Sequence, residues 1–134
     1  MMPAREGAGM STAAAVLVCV LAMIGRPLPP IVLLDERPRD VSPNAEAFVR
    51  RNPNTIFVLT QTDVFYDARR GSLRALKKLA SILVHEEWHL RYNADERTAY
   101  EAQLLELFRL GVLPDHPVYR SVLRAMQTVV RDRI

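Results

Sequence analysis

Apolar residues recur at helical spacing through the second half of the chain. Ser72 is the expected N-cap of a long helix that runs to about residue 92, and a second helix is predicted over residues 95–110. Gly111 follows in the position expected after a helix C-cap, and Asp115 is the expected cap of a last helix. The first helix is apolar over most of its circumference and is expected to be buried, through Leu79, Leu83, Val84, Trp88 and Leu90. The inward-facing positions of the next two helices are Ala99, Tyr100, Leu104, Leu107 and Leu110, then Val118, Val122, Met126, Val129 and Val130.

The first half of the chain is less regular. Residues 55–60 form a β-branched and aromatic run bounded by turn residues, which predicts a strand, and the apolar run 31–34 is a second candidate strand. The Ser-Pro pair at 42–43 resembles the cap and first turn of a helix that ends near residue 51, whereas residues 61–71 are predicted to be a polar connection. Together these elements predict an α+β fold dominated by helices, with a short strand or small sheet packed on the long helix.

An uncharged apolar run covers residues 13–24, with Arg5 before it and prolines at 27, 29 and 30 after it. Such a run is too short to span a bilayer comfortably as a helix, but it fits the apolar core of a secretory signal. The sequence therefore predicts that residues 1–30 are a signal peptide or membrane anchor outside the fold, and that residues 31–134 form one domain. The protein is expected to be exported (periplasmic or extracellular) or membrane-anchored. The alternative, a buried N-terminal helix of the domain, is disfavoured by the prolines, through which a helix cannot continue.

Composition and charge change this picture little. The chain is 49% hydrophobic and 25% charged, with a net charge of +3, which is typical of a globular domain. The basic pairs at 50–51, 69–70 and 77–78 lack accompanying base-stacking aromatics or a binding motif, so no nucleic-acid partner is expected. A single cysteine, Cys19, excludes an intrachain disulfide. His116 is expected to be a surface residue.

The stretch that carries chemistry is His85-Glu86-Glu87-Trp88-His89, an H-E-x-x-H pattern near the end of the long helix. Residues four apart on a helix lie about 40° apart round the axis and about 6 Å along it, so His85 and His89 can present two imidazole nitrogens to one metal ion. Glu86 lies about 100° round from His85, where it can act as a general base without being a ligand. A catalytic zinc also needs a third protein ligand and an open fourth position.

The third ligand has to follow a turn of the chain, because Glu96 would lie about 10 Å beyond His89 on an unbroken helix. Asn93 can provide that turn, since asparagine tolerates the left-handed conformation. Glu96 then heads the apolar stripe of the next helix, whereas Glu101 points about 140° away. Glu96 is the predicted ligand and Asp95 the first reserve. The alternative is that both carboxylates merely favour the first helical turn by their negative charge.

At these residues the chain resembles the zincin superfamily of metallopeptidases, and within it a small gluzincin. The resemblance covers roughly residues 55–111 and implies that His85, His89 and Glu96 bind zinc, with Glu86 as general base. The chain is also similar to small uncharacterised bacterial metallopeptidases that carry a glutamate and an Ala-Tyr pair soon after H-E-x-x-H.

A metzincin-like arrangement is the alternative within the same superfamily, and it would make Asp95 the third ligand. It requires glycine where this chain has Tyr92, and no methionine turn follows. This departure places the metzincin-like arrangement behind the gluzincin-like one.

The resemblance implies zinc-dependent hydrolysis of a peptide or protein substrate. Glu86 would take a proton from the attacking water and deliver it to the leaving amine. Tyr100 could donate a hydrogen bond to the developing oxyanion, or it could be a core residue. The strand at 55–60 could pair with an extended substrate through its edge. The alternative is a non-catalytic zinc-binding structural or interaction module, against which Glu86 argues because a structural site needs no base.

Overall fold

The computed structural model describes residues 10–132. Within that range the chain forms five helices and one three-stranded sheet, so the predicted helix-dominated α+β fold is confirmed. In chain order the elements are α1 (Ala13–Ile24), β1 (Ile31–Leu34), β2 (Ala47–Arg50), β3 (Thr55–Leu59), α2 (Asp63–Arg69), α3 (Leu73–Tyr92), α4 (Glu96–Arg109) and α5 (Pro117–Asp132).

The sheet has the strand order β1-β3-β2, so β3 lies at its centre. β1 runs parallel to β3, with Ile31 opposite Ile56, and β2 runs antiparallel, with Phe48 opposite Phe57. Both strands expected from the sequence are present. β3 is paired on both sides, however, and β2 is the strand that leaves an edge next to the long helix α3.

β2 lies where the sequence predicts a helix, and that prediction is wrong. The hydroxyl of Ser42 accepts a hydrogen bond from the N–H of Asn44 at 3.2 Å within a local turn instead of capping a helix. Arg37 holds the same loop by donating from Nη1 to two of its carbonyl oxygens, at 2.6 and 2.7 Å. Phe48 then stacks on Phe57 of β3, with ring centroids 5.1 Å apart. Cross-strand pairing with β3 outweighs the local helical pattern.

α2 occupies a segment expected to be a polar connection. Thr62 caps it by accepting a hydrogen bond from the N–H of Phe65 at 3.4 Å, and Val64, Phe65 and Ala68 are buried. The helix packs against α3. Two turns are too short for a periodic pattern to stand out, so the sequence did not distinguish this helix from a loop.

α3 is the element against which most of the others pack. It begins after Ser72, whose hydroxyl accepts a hydrogen bond from the N–H of Ala75 at 3.1 Å, and it ends at Asn93, which has the left-handed φ of 51°. Both ends agree with the sequence prediction. α1, α2, α4 and strands β2 and β3 surround the helix and bury side chains such as Leu79 and Leu83.

α4 and α5 form the C-terminal part of the domain. α4 is capped by Asp95, which accepts a hydrogen bond from the N–H of Thr98 at 2.8 Å, and it is followed by Gly111 with φ 86°. α5 packs on α4. The two helices and the turn between them share a second apolar cluster of Leu104, Leu107, Val112, Val118 and Val122.

The cap of α5 is His116 and not the expected Asp115. His116 Nδ1 accepts a hydrogen bond from the N–H of Val118 at 3.1 Å, and its carbonyl accepts the first helical bond from Arg120 at 3.0 Å. His116 is thus part of a helix end, where it is half-buried and not fully on the surface as expected.

α1 covers the apolar run that the sequence analysis placed outside the fold. In the structure Val16, Val20 and Ile24 are buried in the same core as α3, so α1 packs as part of this core. The division of the chain at residue 30 stays a prediction. The prolines end the helix, as expected, but they do not detach it from the domain. None of the described helices is both long and apolar enough to cross a membrane. A role of this segment in export or anchoring stays a prediction.

Polar contacts fasten the chain after α1 to the rest of the domain. Arg26 forms an ion pair with Glu87 of α3, a side chain that is 1% exposed. Glu87 Oε2 also accepts a hydrogen bond from Arg91 Nε at 2.6 Å. Arg109 of α4 donates to the carbonyl of Met23 at 2.7 Å. The N-terminal segment therefore neutralises a carboxylate inside the H-E-x-x-H stretch.

Candidate metal centre

The two histidines of the H-E-x-x-H stretch lie on one face of α3, as their spacing predicts. Their rings are 4.9 Å apart between centroids, and the Nε2 atoms of His85 and His89 are 3.2 Å apart. His85 is buried and His89 is half-buried. Both Nε2 atoms therefore converge on one point at the surface of α3.

The left-handed turn at Asn93 reverses the chain and brings the start of α4 back to the histidines. Glu96 Oε1 lies 3.1 Å from His85 Nε2 and 2.5 Å from His89 Nε2. Ligand atoms about 2 Å from a tetrahedral zinc lie about 3.3 Å from one another, so the three atoms need only small movements to surround an ion. The structure thus contains a candidate metal site of His85, His89 and Glu96, whose ligand atoms all lie within 4.8 Å of one another.

The other two carboxylates considered from the sequence lie elsewhere. Asp95 accepts a hydrogen bond from the N–H of Thr98 as the cap of α4, and Glu101 is exposed and pairs with Arg97 at 3.5 Å. Among the described residues, the cluster with metal-ligand spacing contains Glu96 and neither of the others. The geometry therefore favours Glu96 over Asp95 and Glu101 as the third member of the candidate metal site.

Hydrogen bonds on the far side of each ring orient the two histidines. His89 Nδ1 donates to the backbone carbonyl of Ala94 at 2.8 Å, and His85 Nδ1 lies 2.9 Å from Oε1 of Gln103. Partners of this kind commonly hold metal-binding imidazoles. Tyr100 packs its ring edge-to-face on His85, with centroids 4.5 Å apart.

The charges of the site are coupled. The proximity of the His85 and His89 rings, whose Nε2 atoms both face Oε1 of Glu96, holds the pKa of the Glu96 carboxyl well below its usual range. The hydrogen bond to Glu96 in turn raises the pKa of His89. Without a metal, Glu96 is therefore an anion that shares a proton with His89, and a divalent cation can replace that proton.

Glu86 lines the same cleft as the three candidate ligands. Burial is the largest effect on its carboxyl and raises the pKa to about 7, while the nearby His85 and His89 act in the opposite direction. Its neighbour Glu87 is buried on another side of α3 with Arg26 and Arg91. The two adjacent glutamates thus differ in role, because only Glu86 belongs to the cleft.

The site lies in an open cleft of about 740 Å³. One wall is β2 with the loop before it, from Ser42 to Arg51, and the floor is the histidine-bearing part of α3. α4 and α5 also line the cleft, and α5 contributes Ser121, Val122 and Ala125.

Two residues close to the site were not recognised from the sequence. Gln103 contacts His85 and lies 4% exposed, and Ser81 contacts Gln103 and is fully buried. Helical spacing could have found them, since Gln103 lies seven residues after Glu96 on the same stripe and Ser81 lies four residues before His85.

No family model, no curated protein and no solved structure matches this chain. What the structure establishes is a candidate His-His-Glu metal site in a helix-dominated α+β domain.

Proposed function

We propose that this protein is a zinc-dependent peptidase whose metal ligands are His85, His89 and Glu96. The observation that carries the proposal is the convergence of these three side chains, within 4.8 Å, in a cleft that also contains Glu86. Three protein ligands with access to solvent are typical of catalytic zinc sites, whereas structural sites have four.

The donor set favours zinc over the hard cations. Two imidazole nitrogens and one carboxylate oxygen suit zinc, while calcium and magnesium prefer sites made of oxygen atoms. His85 Nε2 lies 3.1 Å from Glu96 Oε1 and 3.2 Å from His89 Nε2, and both distances agree with tetrahedral coordination of one ion. Metal analysis of the purified protein distinguishes zinc from the other transition metals that bind imidazole.

Glu86 is the proposed general base. Its pKa of about 7 lets the carboxylate take a proton from water near neutral pH and return it to a leaving amine. A bound zinc would supply a Lewis acid that polarises the substrate carbonyl and makes water a better nucleophile. The work of the protein is then to hold the base, the water and the carbonyl together in one cleft.

Tyr100 is the proposed hydrogen-bond donor to the oxyanion. It is half-buried, lines the cleft and contacts His85, and burial raises the pKa of its hydroxyl, which keeps the proton available for donation. Tyr100 and Glu86 both belong to the cleft that would hold the substrate carbonyl.

The substrate is proposed to be an extended peptide paired with β2. β3, the strand expected to fill this role, is paired with a neighbouring strand on each side and therefore has no edge for a substrate. In antiparallel pairs, hydrogen-bonded positions alternate. The N–H of Leu59 donates to the carbonyl of Glu46 at 3.1 Å, so the next hydrogen-bonded position of β2 is Phe48, two residues on. The backbone N–H and C=O groups of Ala47 and Val49 therefore point away from β3. That outer edge borders the cleft.

The rival proposal is a zinc-binding module without catalysis. The small size of the domain would support it if too little of the chain were left to build a substrate cleft. The observed cleft argues for the enzyme, because α5 also lines it. A base beside the site would also have no purpose in a structural centre.

The deciding experiment combines metal analysis with peptide hydrolysis. Purified wild type, Glu86→Gln and His85→Ala proteins are analysed for bound metal and assayed on a broad peptide library. The enzyme is supported if Glu86→Gln keeps one zinc and loses hydrolysis while His85→Ala loses both. Zinc binding without hydrolysis that depends on Glu86 would support the rival.

Export or membrane anchoring is proposed on the sequence pattern alone. Cleavage after Ala22, the best candidate site, would remove Val16 and Val20 from the core, so we expect the exported or anchored protein to retain this segment. Cell fractionation with N-terminal sequencing tests the proposal, and an intact chain found only in the cytoplasm would contradict it.

A further inference from the structure

We propose that Gln103 and Ser81 are positioning residues that set which nitrogen of His85 carries hydrogen, and thereby keep Nε2 free to bind a metal. The proposal rests on the metal site proposed above but concerns a different property of it. Its observations are three linked hydrogen bonds inside the protein, from His85 to Gln103, from Gln103 to Ser81 and from Ser81 to Lys78.

The direction of the chain of hydrogen bonds follows from its last member. Ser81 Oγ lies 2.6 Å from the backbone carbonyl oxygen of Lys78. A carbonyl has no hydrogen to give, so the serine hydroxyl must be the donor. Toward Gln103, at 3.2 Å, the oxygen of Ser81 can then only accept. The group of Gln103 that faces Ser81 is therefore the NH₂ of its amide.

The orientation of Gln103 determines which nitrogen of His85 carries hydrogen. With its NH₂ turned to Ser81, Gln103 presents the carbonyl oxygen Oε1 to His85 Nδ1, at 2.9 Å. The hydrogen of that bond must come from Nδ1. Neutral His85 then has its lone pair on Nε2, the atom that faces His89 and Glu96. The backbone carbonyl of Lys78 thus determines the metal-binding face of a histidine two helical turns away.

Burial of the three side chains leaves this arrangement of hydrogen bonds without an alternative partner in solvent. Ser81, Gln103 and His85 are 0%, 4% and 6% exposed, so water cannot easily replace a missing partner. In a flipped amide, the single hydrogen of Ser81 would face two acceptors, the Lys78 carbonyl at 2.6 Å and the Gln103 oxygen at 3.2 Å, and could bond only one of them. The other contact would join two oxygens with no hydrogen between them. Of the two tautomers of His85, the buried network therefore favours the one that can bind metal.

Three substitutions separate positioning from mere packing. Gln103→Leu keeps the size of the side chain but removes the acceptor. Gln103→Glu keeps an acceptor at His85 and, as the neutral acid that burial favours, a hydroxyl that donates to Ser81 Oγ in place of the amide NH₂. Ser81→Ala leaves Gln103 in place but removes what fixes its orientation. Gln61→Leu and Ser11→Ala, both at exposed positions outside the cleft, are the matched controls.

The first readout is zinc affinity by competition with a chelator, together with thermal melting of the metal-free proteins. Loss of a partner that orients a ligand typically weakens metal binding about 10- to 100-fold, which is expected for Gln103→Leu. Ser81→Ala should weaken binding less, and Gln103→Glu should restore most of the affinity. The proposal is overturned if Gln103→Leu binds zinc as wild type does, or if Gln103→Glu is as weak as Gln103→Leu at equal melting temperature.

The second readout needs no metal. Nitrogen-15 NMR of the metal-free protein at alkaline pH reports which ring nitrogen of His85 is protonated. We expect the Nδ1–H form in wild type and a mixture of forms in Ser81→Ala. A wild-type His85 in the Nε2–H form would overturn the proposal even if zinc binds. A wild type that fails to bind zinc while holding the Nδ1–H form would instead count against the proposed peptidase and support the positioning role.

Discussion

The Nε2 atom of His89 lies 2.5 Å from Oε1 of Glu96, although the two residues belong to different helices. The turn at Asn93 makes this contact possible, because its φ of 51° ends α3 and lets α4 start alongside the histidines. A contact of this length joins an acid and a base that share a proton. It is the relationship on which the choice of the third metal ligand depends.

We expect Glu96→Ala to abolish stoichiometric zinc binding, since it removes one of three protein ligands. Asp95→Ala should keep the zinc and lower the unfolding free energy by about 0.5 to 2 kcal/mol, the usual effect of losing an N-cap. Glu101→Ala removes an exposed pair with Arg97 and serves as the control. Metal content and chemical denaturation measure both effects. Retained zinc in Glu96→Ala with loss in Asp95→Ala would restore the metzincin-like alternative.

The parts of the site that the sequence predicted depend on contacts close along the chain. His85 and His89 are one helical turn apart, and the left-handed turn at Asn93 precedes Glu96 by three residues. Helix geometry and capping preferences are local properties, so the long helix, its turn and the inward-facing acid could all be inferred.

The parts that the sequence did not predict depend on distant contacts. The Ser-Pro pair before β2 resembles a helix cap because capping is a local property, while the pairing of Phe48 with Phe57 is not visible in a sequence pattern. The apolar run of α1 has the same composition whether it enters a membrane or a core. Only the packing of Val16 and Val20 separates the two.

The contact between Arg26 and Glu87 predicts that the N-terminal segment stabilises the metal-bearing helix. Glu87 is 1% exposed and keeps only Arg91 when Arg26 is replaced. We expect Arg26→Met to lower the unfolding free energy by about 1 to 3 kcal/mol, because a buried charge loses a partner. Arg97→Met breaks the exposed pair of Arg97 with Glu101 and should change the unfolding free energy by only about 0 to 1 kcal/mol. Equal stability losses in urea denaturation would contradict a role for the buried pair.

The raised pKa of Glu86 predicts how the stability of the metal-free protein depends on pH. The pKa in the folded state is about 7, above the ordinary value of 4.5, so the folded protein binds this proton more tightly than the unfolded chain. Stability from Glu86 is therefore complete below about pH 4 and is lost as the pH rises through about 7.

Glu86→Gln removes this dependence, because an amide does not titrate in that range. Without metal, the variant should gain stability relative to wild type between about pH 4 and about pH 8, by at most about 3 kcal/mol. Denaturation of the two chelator-treated proteins across this range measures the difference. A difference that is independent of pH would show that the Glu86 carboxyl is not perturbed in the folded protein.

The outward backbone groups of β2 yield a prediction about substrate binding. Val49 points its N–H away from β3, whereas Phe48 belongs to a hydrogen-bonded pair with Phe57. Val49→Pro should therefore fold but lose one bond to an extended substrate, which lowers kcat/KM about two- to tenfold, mainly through KM. Phe48→Pro should instead disrupt the sheet, since proline cannot donate within a ladder. Val49→Ala keeps the N–H and separates loss of side-chain packing from loss of the hydrogen bond. If Val49→Pro melts like Val49→Ala and also cleaves peptides with the same KM, the substrate does not pair with this edge, and the peptide must cross the cleft by another path.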